Sequence, residues 1–372
     1  MGSNYKKLGG YIRQIDLRNS DASLGEDNLY GISVTKEFII SHANLVGVIF
    51  DSYKVVAPRQ FAYIPDTSRR GDKIAISLNT FGEDIIVSSI CSVFEIIDEN
   101  QLLPEYLMLW FMRPEFDRYA RFMSNGSARE VFDWDCMCGV ELPVPPISEQ
   151  RKIVHDYQVI TDRIELLGKM NENLEETMET VFKSFVSEKG QDDCETVYKA
   201  LKVINGTAFS SDYFNTDMNG YPLVRIRDLS ACNPDVYTSE VLPGIEYVNA
   251  GDILVGMDGE FIPHVWYGST GVLNQRVCKI VPVKQAIHPM FLFWTLKPIL
   301  AEIQRTQGGT TVIHIGKKDF DKMVCTHMTE DEHKNFYEKV DPMFKLLVLN
   351  NKEILKLSSM VTMIQSSMSN IS

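Results

Sequence analysis

The most regular hydrophobic pattern in the chain is a heptad repeat between Pro146 and Ser187. Its apolar positions are spaced alternately four and three residues apart, which is the a/d seam of a coiled-coil helix. Because Pro145 and Pro146 end any preceding element and Ser148 can cap the first turn, we predict a long helix over residues 148–187. The seam consists of Ile153, Tyr157, Ile160, Ile164, Leu167, Asn171, Leu174, Met178, Val181 and Phe185.

A second seam with the same spacing lies near the end of the chain. Each of its positions follows its counterpart in the first seam by 183 residues, so we predict a partner helix within residues 329–372. Pro342 is expected to kink or restart this helix near its beginning. The second seam consists of Phe336, Val340, Met343, Leu347, Asn350, Ile354, Leu357, Val361, Ile364 and Met368.

The stretches outside the seams repeat one order of short apolar runs separated by Gly, Asn, Asp and Ser. In the first stretch, runs such as LYGISV, LVGVIF, YKVVAP and FAYIP predict strands of a mixed sheet, and residues 103–123 predict one helix that begins at Pro104. In the second stretch, residues 247–256 correspond to 55–64, and residues 288–304 correspond to the Pro104 helix. The preserved order of these runs indicates a tandem duplication.

These patterns predict an α/β (α+β) chain with a globular domain before each long helix. The first domain is expected over residues 1–147 and the second over 188–328, with the long helices at 148–187 and 329–372. A chain of 372 residues is long enough for two domains that each bury their own core.

Composition and charge restrict the function. No run approaches 18 uncharged apolar residues, and the N-terminus has no apolar segment typical of a secretory signal, so we expect a cytoplasmic protein without a membrane partner. Seven scattered cysteines fit a reducing compartment. The net charge of −13 argues against indiscriminate binding of polyanions but allows a basic face on an acidic body.

Known enzyme motifs are not found. No glycine-rich loop for S-adenosylmethionine or a nucleotide follows a predicted strand. Asn233-Pro234-Asp235 matches only part of a methyltransferase motif, and a turn is the favoured interpretation. Cys136 and Cys138 can ligate a metal, but no second Cys/His pair has finger spacing, so we predict no metal site.

Several segments carry a resemblance to a known family. LPVPPISEQRKIV (142–154), YKVVAPRQFAYI (53–64), INGTAF with GYPLVRIRDL (204–229), and GDILVGMDGEF with LNQRVCKIVP (251–282) are similar to segments of type I restriction-modification specificity subunits. The resemblance covers essentially the whole chain. One departure is Arg59-Gln60, which stands where the family often has Gly-Asp, as at Gly251-Asp252.

The resemblance implies a role in host defence. Each globular domain would be a target recognition domain that reads one half of a bipartite double-stranded DNA site, with the two domains related by a pseudo-twofold axis. The long helices would pack antiparallel as a coiled coil and set the number of unread base pairs. The partners would be two methyltransferase (modification) subunits and restriction/translocase subunits. S-adenosylmethionine, ATP and Mg would bind those partners, so this chain would carry no cofactor and no catalytic residue.

An antiparallel pairing has a consequence for two polar residues in the seams. Asn171 occupies an a position and Asn350 a d position, and both lie near the middle of their helices. Layers of an antiparallel pair join a to d positions, so we predict that the two amides meet. A buried amide pair would fix register and orientation at a cost in stability. The alternative is two exposed amides in a frayed seam.

Candidate DNA contacts are hydrogen-bond donors in loops and at strand ends. Arg and Lys can contact guanine or phosphate, and Asn can contact adenine. For Arg69, Arg70 and Lys73 the alternative is a solvated turn. The candidates are Arg69, Arg70 and Lys73, then Asn125, Ser127 and Arg129, then Asn205, Thr207, Arg225, Arg227 and Arg276, and finally Thr310, Thr311, Lys317 and Lys318.

Two rival functions fit the same patterns. A duplicated protein-interaction scaffold without sequence-specific DNA binding would suit the acidic charge. An enzyme with an unrecognised motif would transfer methyl groups as an isolated chain, which we do not expect. Duplex binding that weakens steeply with salt separates the DNA-reading function from the scaffold.

Overall fold

The computed structural model describes residues 5–41, 47–66, 73–124, 130–187, 189–190, 193–307 and 314–370. The chain divides into two compact units, the first within residues 1–162 and 359–372 and the second within residues 163–358. Both long helices are therefore shared, because each contributes residues to both units.

The first unit contains short strands, three short helices and the start of the first long helix. Its strands are β1 (Tyr5–Lys7), β2 (Ile12–Ile15), β3 (Tyr30–Ile32), β4 (Phe38–Ile40), β5 (Lys54–Val56), β6 (Phe61–Tyr63), β7 (Ile76–Leu78), β8 (Ile85–Val87), β9 (Ser92–Ile96) and β10 (Glu141–Pro143). Its helices are α1 (Pro104–Phe111), α2 (Pro114–Ser124), α3 (Trp134–Cys138) and α4 (Ile147–Val186), of which α4 continues into the second unit.

A four-stranded sheet in the order β2-β9-β6-β7 forms the centre of the first unit. Phe61 and Phe94 stack across neighbouring strands with ring centroids 4.8 Å apart, and Phe111 of α1 meets both rings edge-on. Val154 of α4 and Met368 are buried in the same core. Leu8 and Met368, which are far apart in sequence, thus belong to one core.

The helix predicted over residues 103–123 is broken in the structure. It ends at Phe111 and starts again at Pro114, because proline lacks an N–H group and disfavours helical backbone in the residue before it. Nζ of Lys36 donates to the Phe111 carbonyl and also to Asp117 Oδ1, at 2.7 Å. The break is therefore stabilised by a buried ammonium group.

One predicted strand is wrong in the part that the structure describes. The run LVGVIF covers residues 45–50, and residues 47–50 form a turn and irregular backbone. Gly47 has a φ of +79°, which lies outside the β region. The edge strand here is instead β4, formed by Phe38–Ile40.

The second unit repeats the architecture of the first. Its strands are β11 (Cys194–Thr196), β12 (Leu201–Asn205), β13 (Phe214–Asn215), β14 (Tyr221–Val224), β15 (Tyr237–Thr238), β16 (Tyr247–Val248), β17 (Ile253–Gly256), β18 (Pro263–Val265), β19 (Gly271–Leu273), β20 (Val277–Pro282) and β21 (Val324–Thr326). Its helices are α5 (Pro289–Gln307), α6 (Lys317–Phe320) and α7 (Glu330–Ser367), of which α7 continues into the first unit.

The duplication is visible in the strand pairing. The central sheet of the second unit has the order β12-β20-β17-β18, which corresponds strand for strand to β2-β9-β6-β7. The outer pairing of β1 with β10 recurs as β11 with β21, and the antiparallel pair β5–β8 recurs as β16–β19. The tandem α/β (α+β) architecture predicted from the sequence is confirmed.

The turns before β6 and β17 have the same hydrogen bonds in both units. Gln60 accepts the Ala57 N–H at 2.8 Å through its side chain, as Asp252 accepts the Asn249 N–H at 2.7 Å. The backbone N–H of the same Gln and Asp donates to the Ala57 and Asn249 carbonyls, at 3.0 Å in each case. The acceptor for the backbone N–H three residues earlier is therefore an amide oxygen in the first unit and a carboxylate oxygen in the second.

Arg59 has a positive φ, a conformation that favours glycine. Its counterpart in the second unit is Gly251, which also has a positive φ. The φ angles are +69° for Arg59 and +98° for Gly251. Arg59 bonds to Glu99 at 2.7 Å and to Glu105 at 2.6 Å. Such exposed ion pairs contribute about 0–1 kcal/mol each, against a cost of about 1–2 kcal/mol for an L-residue in the left-handed region.

Within the second unit, α4 and α7 pack antiparallel. Arg163 on α4 bonds to Glu353 on α7 at 2.9 Å, whereas Phe185 meets the Phe336 ring at 5.6 Å. Residues later in α4 thus contact residues earlier in α7, as is required of two helices that run in opposite directions. The predicted antiparallel helix pair is confirmed.

Helix α7 does not restart at Pro342, so of the two predicted outcomes, a kink or a restart, the restart is wrong. It is one helix from Glu330 to Ser367. A proline inside a helix costs about 3 kcal/mol. Val340 and Phe344 flank Pro342 and are both buried, and burial of such side chains contributes roughly 1.5–3 kcal/mol each. Packing on the second unit therefore keeps the helix continuous.

Candidate nucleic-acid interface

Several candidate contacts fall outside the described residues. These are Arg69, Arg70, Asn125, Ser127, Arg129, Thr310 and Thr311. Lys73 is described and is exposed at the end of irregular backbone that leads into β7. The assignment of these residues to DNA contact stays a prediction.

Three candidates of the second unit come together at one end of its central sheet. Asn205 is the exposed last residue of β12, and the Thr207 N–H donates to the Leu273 carbonyl at 2.9 Å. A Cβ at Gly206 would lie 2.1 Å from the Asn274 carbonyl oxygen, so only glycine allows this close approach. Arg276 is two residues after Asn274 and is exposed. The sheet therefore gathers amide, hydroxyl and guanidinium groups that are far apart in sequence.

Arg276 also belongs to a cluster that the sequence did not reveal. Asp258 Oδ2 lies 3.3 Å from Arg276 Nη1, and Asp258 Oδ1 lies 2.6 Å from His314 Nδ1. Residues 258 and 314 form an isolated antiparallel bridge. Asp258 and His314 are 56 residues apart, so only sheet pairing brings them together. Alignment of the two halves could have revealed Asp258, because Asp66 occupies the same place in the first half.

Arg225 is held by carboxylates of its own domain. Its Nε bonds to Asp228 Oδ2 at 2.9 Å, and Nη2 contacts Asp235. The hydrogen bond that Arg225 donates to Asp228 raises the pKa of the Arg225 guanidinium. Arg225 thus stabilises the turn between Val224 and Leu229, and Asp235 of the Asn-Pro-Asp segment takes part in that turn.

The remaining basic candidates are exposed. Arg227 lies in the same turn as Arg225 with its side chain toward solvent. Lys317 and Lys318 are the first two residues of α6 and are also exposed. The N–H of Gly316 at the helix start donates to Asp319 at 2.9 Å. Both lysines are therefore accessible to solvent, and their contact with DNA stays a prediction.

The two cysteines considered as metal ligands lie on α3. Burial raises the pKa of both the Cys136 and the Cys138 thiols, which disfavours the thiolate that binds metals. Among the residues that the structure describes, no group of three or more His, Cys, Asp or Glu side chains could hold a metal ion.

Asn171 and Asn350 meet between the long helices. Nδ2 of Asn350 donates to Oδ1 of Asn171 at 2.9 Å, and the residues are 5% and 7% exposed. This is the contact expected from the heptad count. Its effect on register stays a prediction.

A search of the described residues found no helix that is both long and apolar enough to cross a membrane.

The known proteins to which the chain is similar in sequence are specificity subunits of type I restriction enzymes. No family model matches the chain. It is 34% identical to the type I restriction enzyme EcoBI specificity subunit of Escherichia coli over 37% of this chain, and the match spans 29% of that protein. It is 23% identical to the MjaIX specificity subunit of Methanocaldococcus jannaschii over 70% of this chain and 67% of the relative.

A solved structure extends the similarity in fold to nearly the full length. The S subunit of a type I restriction-modification system from M. genitalium superposes with a TM-score of 0.59 at 12% identity, over 98% of this chain and 95% of that one. This likeness concerns the fold. Together with the curated relatives, it confirms the resemblance found in the sequence.

Proposed function

We propose that this relative of type I restriction enzyme specificity subunits is the DNA-sequence-recognition chain of a type I restriction-modification system. Each compact unit would read one half of a bipartite duplex target. The assignment of residues 1–147 and 188–328 as the recognition domains belongs to this proposal.

The observation that carries the proposal is the repeated sheet topology. Two units with the order β2-β9-β6-β7 and β12-β20-β17-β18 offer two equivalent binding surfaces on one chain. Proteins that present two equivalent modules typically bind two half-sites at a fixed separation. A continuous antiparallel helix pair is stiff, whereas a flexible linker would allow many separations.

The chemistry for reading bases is present at the end of the second sheet. Arg276 can donate two parallel hydrogen bonds to guanine, and Asn205 can pair with adenine. Their exposure suits such contacts. The net charge of −13 means that binding depends on local placement of these donors rather than on the field of the whole chain.

Catalysis would belong to other subunits. We propose two methyltransferase subunits and restriction/translocase subunits as partners in the cytoplasm. S-adenosylmethionine would bind the methyltransferase subunits, and ATP and Mg would serve the partner enzymes. The chain itself would bind no cofactor and would act as the adaptor that brings the methyltransferase to the target.

Methylation mapping tests this function. The full chain would be expressed with the modification subunits of its own system in cells that lack other adenine methyltransferases. We expect N6-methyladenine in a motif of two short half-sites with a constant gap, and none when this chain is omitted. Methylation that persists without the chain, or that falls in one uninterrupted motif, would contradict the proposal.

The acidic charge favours one alternative, a protein-interaction scaffold. The complex of full chain and modification subunits separates the two. Specific binding to the mapped duplex should weaken by orders of magnitude between low and moderate salt, because displaced counterions drive phosphate contact. A scaffold would retain its protein partners but would bind the mapped duplex no better than a scrambled one.

A further inference from the structure

Three backbone segments lie side by side at one end of the central sheet of the second unit. The Met257 N–H donates to the Arg276 carbonyl at 2.9 Å, and the Ile315 N–H donates to the Met257 carbonyl at 2.9 Å. This pairing fixes Asp258, Arg276 and His314 on adjacent segments. We call these three side chains the Asp258 cluster.

The Asp258 carboxylate has a partner on each oxygen. Its Oδ2 faces Arg276 Nη1 at 3.3 Å, and its Oδ1 faces His314 Nδ1 at 2.6 Å. The Asp258 side chain is 24% exposed, whereas those of Arg276 and His314 are 57% and 51% exposed. The acid is thus recessed between two donors that extend into solvent. An arginine has five N–H donors, so contact through Nη1 leaves a planar fork for a ligand.

The first unit has an equivalent backbone bridge, and two of its three side chains at this place differ from those of the second unit. Asp66 and Val131 form the bridge that corresponds to Asp258 and His314. The position that corresponds to Arg276 is Ile90, which is 63% exposed. An exposed isoleucine cannot donate to a base edge, although it can contact a thymine methyl group. The two units therefore present different chemistry at equivalent places.

We propose that Arg276 determines specificity in the half-site of the second unit by pairing with a guanine, and that Asp258 and His314 are its positioning residues. This inference rests on the proposed DNA-reading function. Asp258 orients the guanidinium through its Oδ2 atom, and His314 orients the Asp258 carboxylate through its Oδ1 atom. Preorganisation of this kind matters because a bidentate contact requires a fixed plane.

An ordinary surface ion pair is the alternative, and such pairs contribute little to stability. The two interpretations differ in what Arg276→Ala changes. A specificity residue alters preference at one base pair, whereas a phosphate contact weakens binding to all sequences equally. A surface ion pair changes neither.

The experiment uses the full chain with its modification subunits and measures relative binding to duplexes with every substitution in the methylated motif. For Arg276→Ala we expect the preference for guanine at one position of one half-site to fall about 10- to 100-fold. The other half-site should be unaffected. Arg276→Lys should retain overall affinity and still lose the guanine preference, because an ammonium group cannot form the planar fork.

Positioning is tested by a double-mutant cycle. Asp258→Asn, and separately His314→Gln, should weaken the preference at the same base pair. The double variant Asp258→Asn with Arg276→Ala should be no worse than Arg276→Ala alone, which a purely structural role would not produce. Arg13→Ala is the matched control, because Arg13 is an exposed arginine paired with Glu95 in the other unit, and it should leave the guanine preference unchanged.

The outcomes separate a failure of the Arg276 proposal from a failure of the proposed DNA-reading function. If the wild-type complex discriminates its motif and Arg276→Ala keeps every base preference, or loses affinity uniformly, the inference is wrong and the proposed function stands. If the wild-type complex does not prefer its motif over scrambled duplex, the proposed function is itself wrong.

Discussion

Asn350 donates a hydrogen bond to Asn171 across the antiparallel helices α4 and α7, in a seam that is otherwise largely apolar. An amide pair in such a seam lowers stability relative to two leucines. We expect the pair also to favour the register in which the amides meet, since a shifted register would leave buried amide groups unpaired.

Substitution of these residues should therefore be non-additive. Asn350→Leu alone leaves the Asn171 amide buried without its partner and should reduce the free energy of unfolding by about 1–3 kcal/mol. The double leucine variant should recover that loss or exceed wild-type stability. Urea denaturation of the full chain measures the free energy of unfolding of the single and the double variant. Asn173→Leu is the control, because Asn173 lies on the same helix but is exposed. A double variant with unchanged register and unchanged gap between half-sites would remove the register role.

Lengthening both helices by one heptad should lengthen the gap in the DNA motif. Duplicating residues 168–174 in α4 and 347–353 in α7 preserves the seam and adds roughly 10 Å of helix. At about 3.4 Å per base pair along each strand, the gap should grow by about three base pairs. Methylation mapping would detect this. The same insertion in α4 alone misaligns the seam and should abolish methylation. An unchanged gap in the double insertion would show that the helices do not set it.

The turns before β6 and β17 should respond differently to substitution. Gly251 has a φ of +98°, so Gly251→Ala should destabilise the chain by about 1–2 kcal/mol. In Arg59→Gly, relief of backbone strain opposes the loss of contacts with Glu99 and Glu105, so the change should be within about 1 kcal/mol. Chemical denaturation measures both variants. Equal losses at the two positions would mean that backbone conformation does not decide the difference.

Acid should destabilise the second unit through His288. This residue is 1% exposed, and burial lowers the pKa of its imidazole to about 4 from 6.5. Its Nδ1 accepts the Met290 N–H at 3.1 Å at the start of α5, which requires the neutral ring. The unfolded state binds the proton first, so stability is complete above pH 6.5 and falls as the pH drops toward 4, by up to roughly 3 kcal/mol.

The variant His288→Asn tests that pH dependence. Asparagine can cap the helix but does not titrate. The free energy of unfolding of the variant should therefore change less between pH 7 and pH 4.5 than that of the wild type. Burial also lowers the pKa of His333, so a residual slope is expected in the variant. Identical slopes in wild type and variant would show that His288 is not the titrating group.

The sequence was most informative where structure depends on local periodicity. Heptad spacing located both long helices and the contact between Asn171 and Asn350, because register follows from counting along one helix and then the other. The repeated order of runs likewise predicted the duplicated fold. In both cases the relevant residues are close in sequence or related by a constant offset.

Prediction failed where neighbouring elements decide the outcome. Pro114 ends a helix but Pro342 does not, and the difference lies in the packing of Val340 and Phe344 rather than in the proline. The link between Asp258 and His314 depends on sheet pairing across 56 residues. Arg225 is held by Asp228, a partner that the sequence alone does not identify, and its assignment to DNA contact stays a prediction.

The sharing of the long helices between the units has a consequence for the order of folding during synthesis. Residues 163–358 of the second unit are contiguous, so that unit can form as soon as they leave the ribosome. The core of the first unit includes Met368, which is fully buried in the same cluster as Leu8 and Ile12. Until residue 368 has emerged, the apolar surface on which Met368 packs therefore stays uncovered in the nascent first unit.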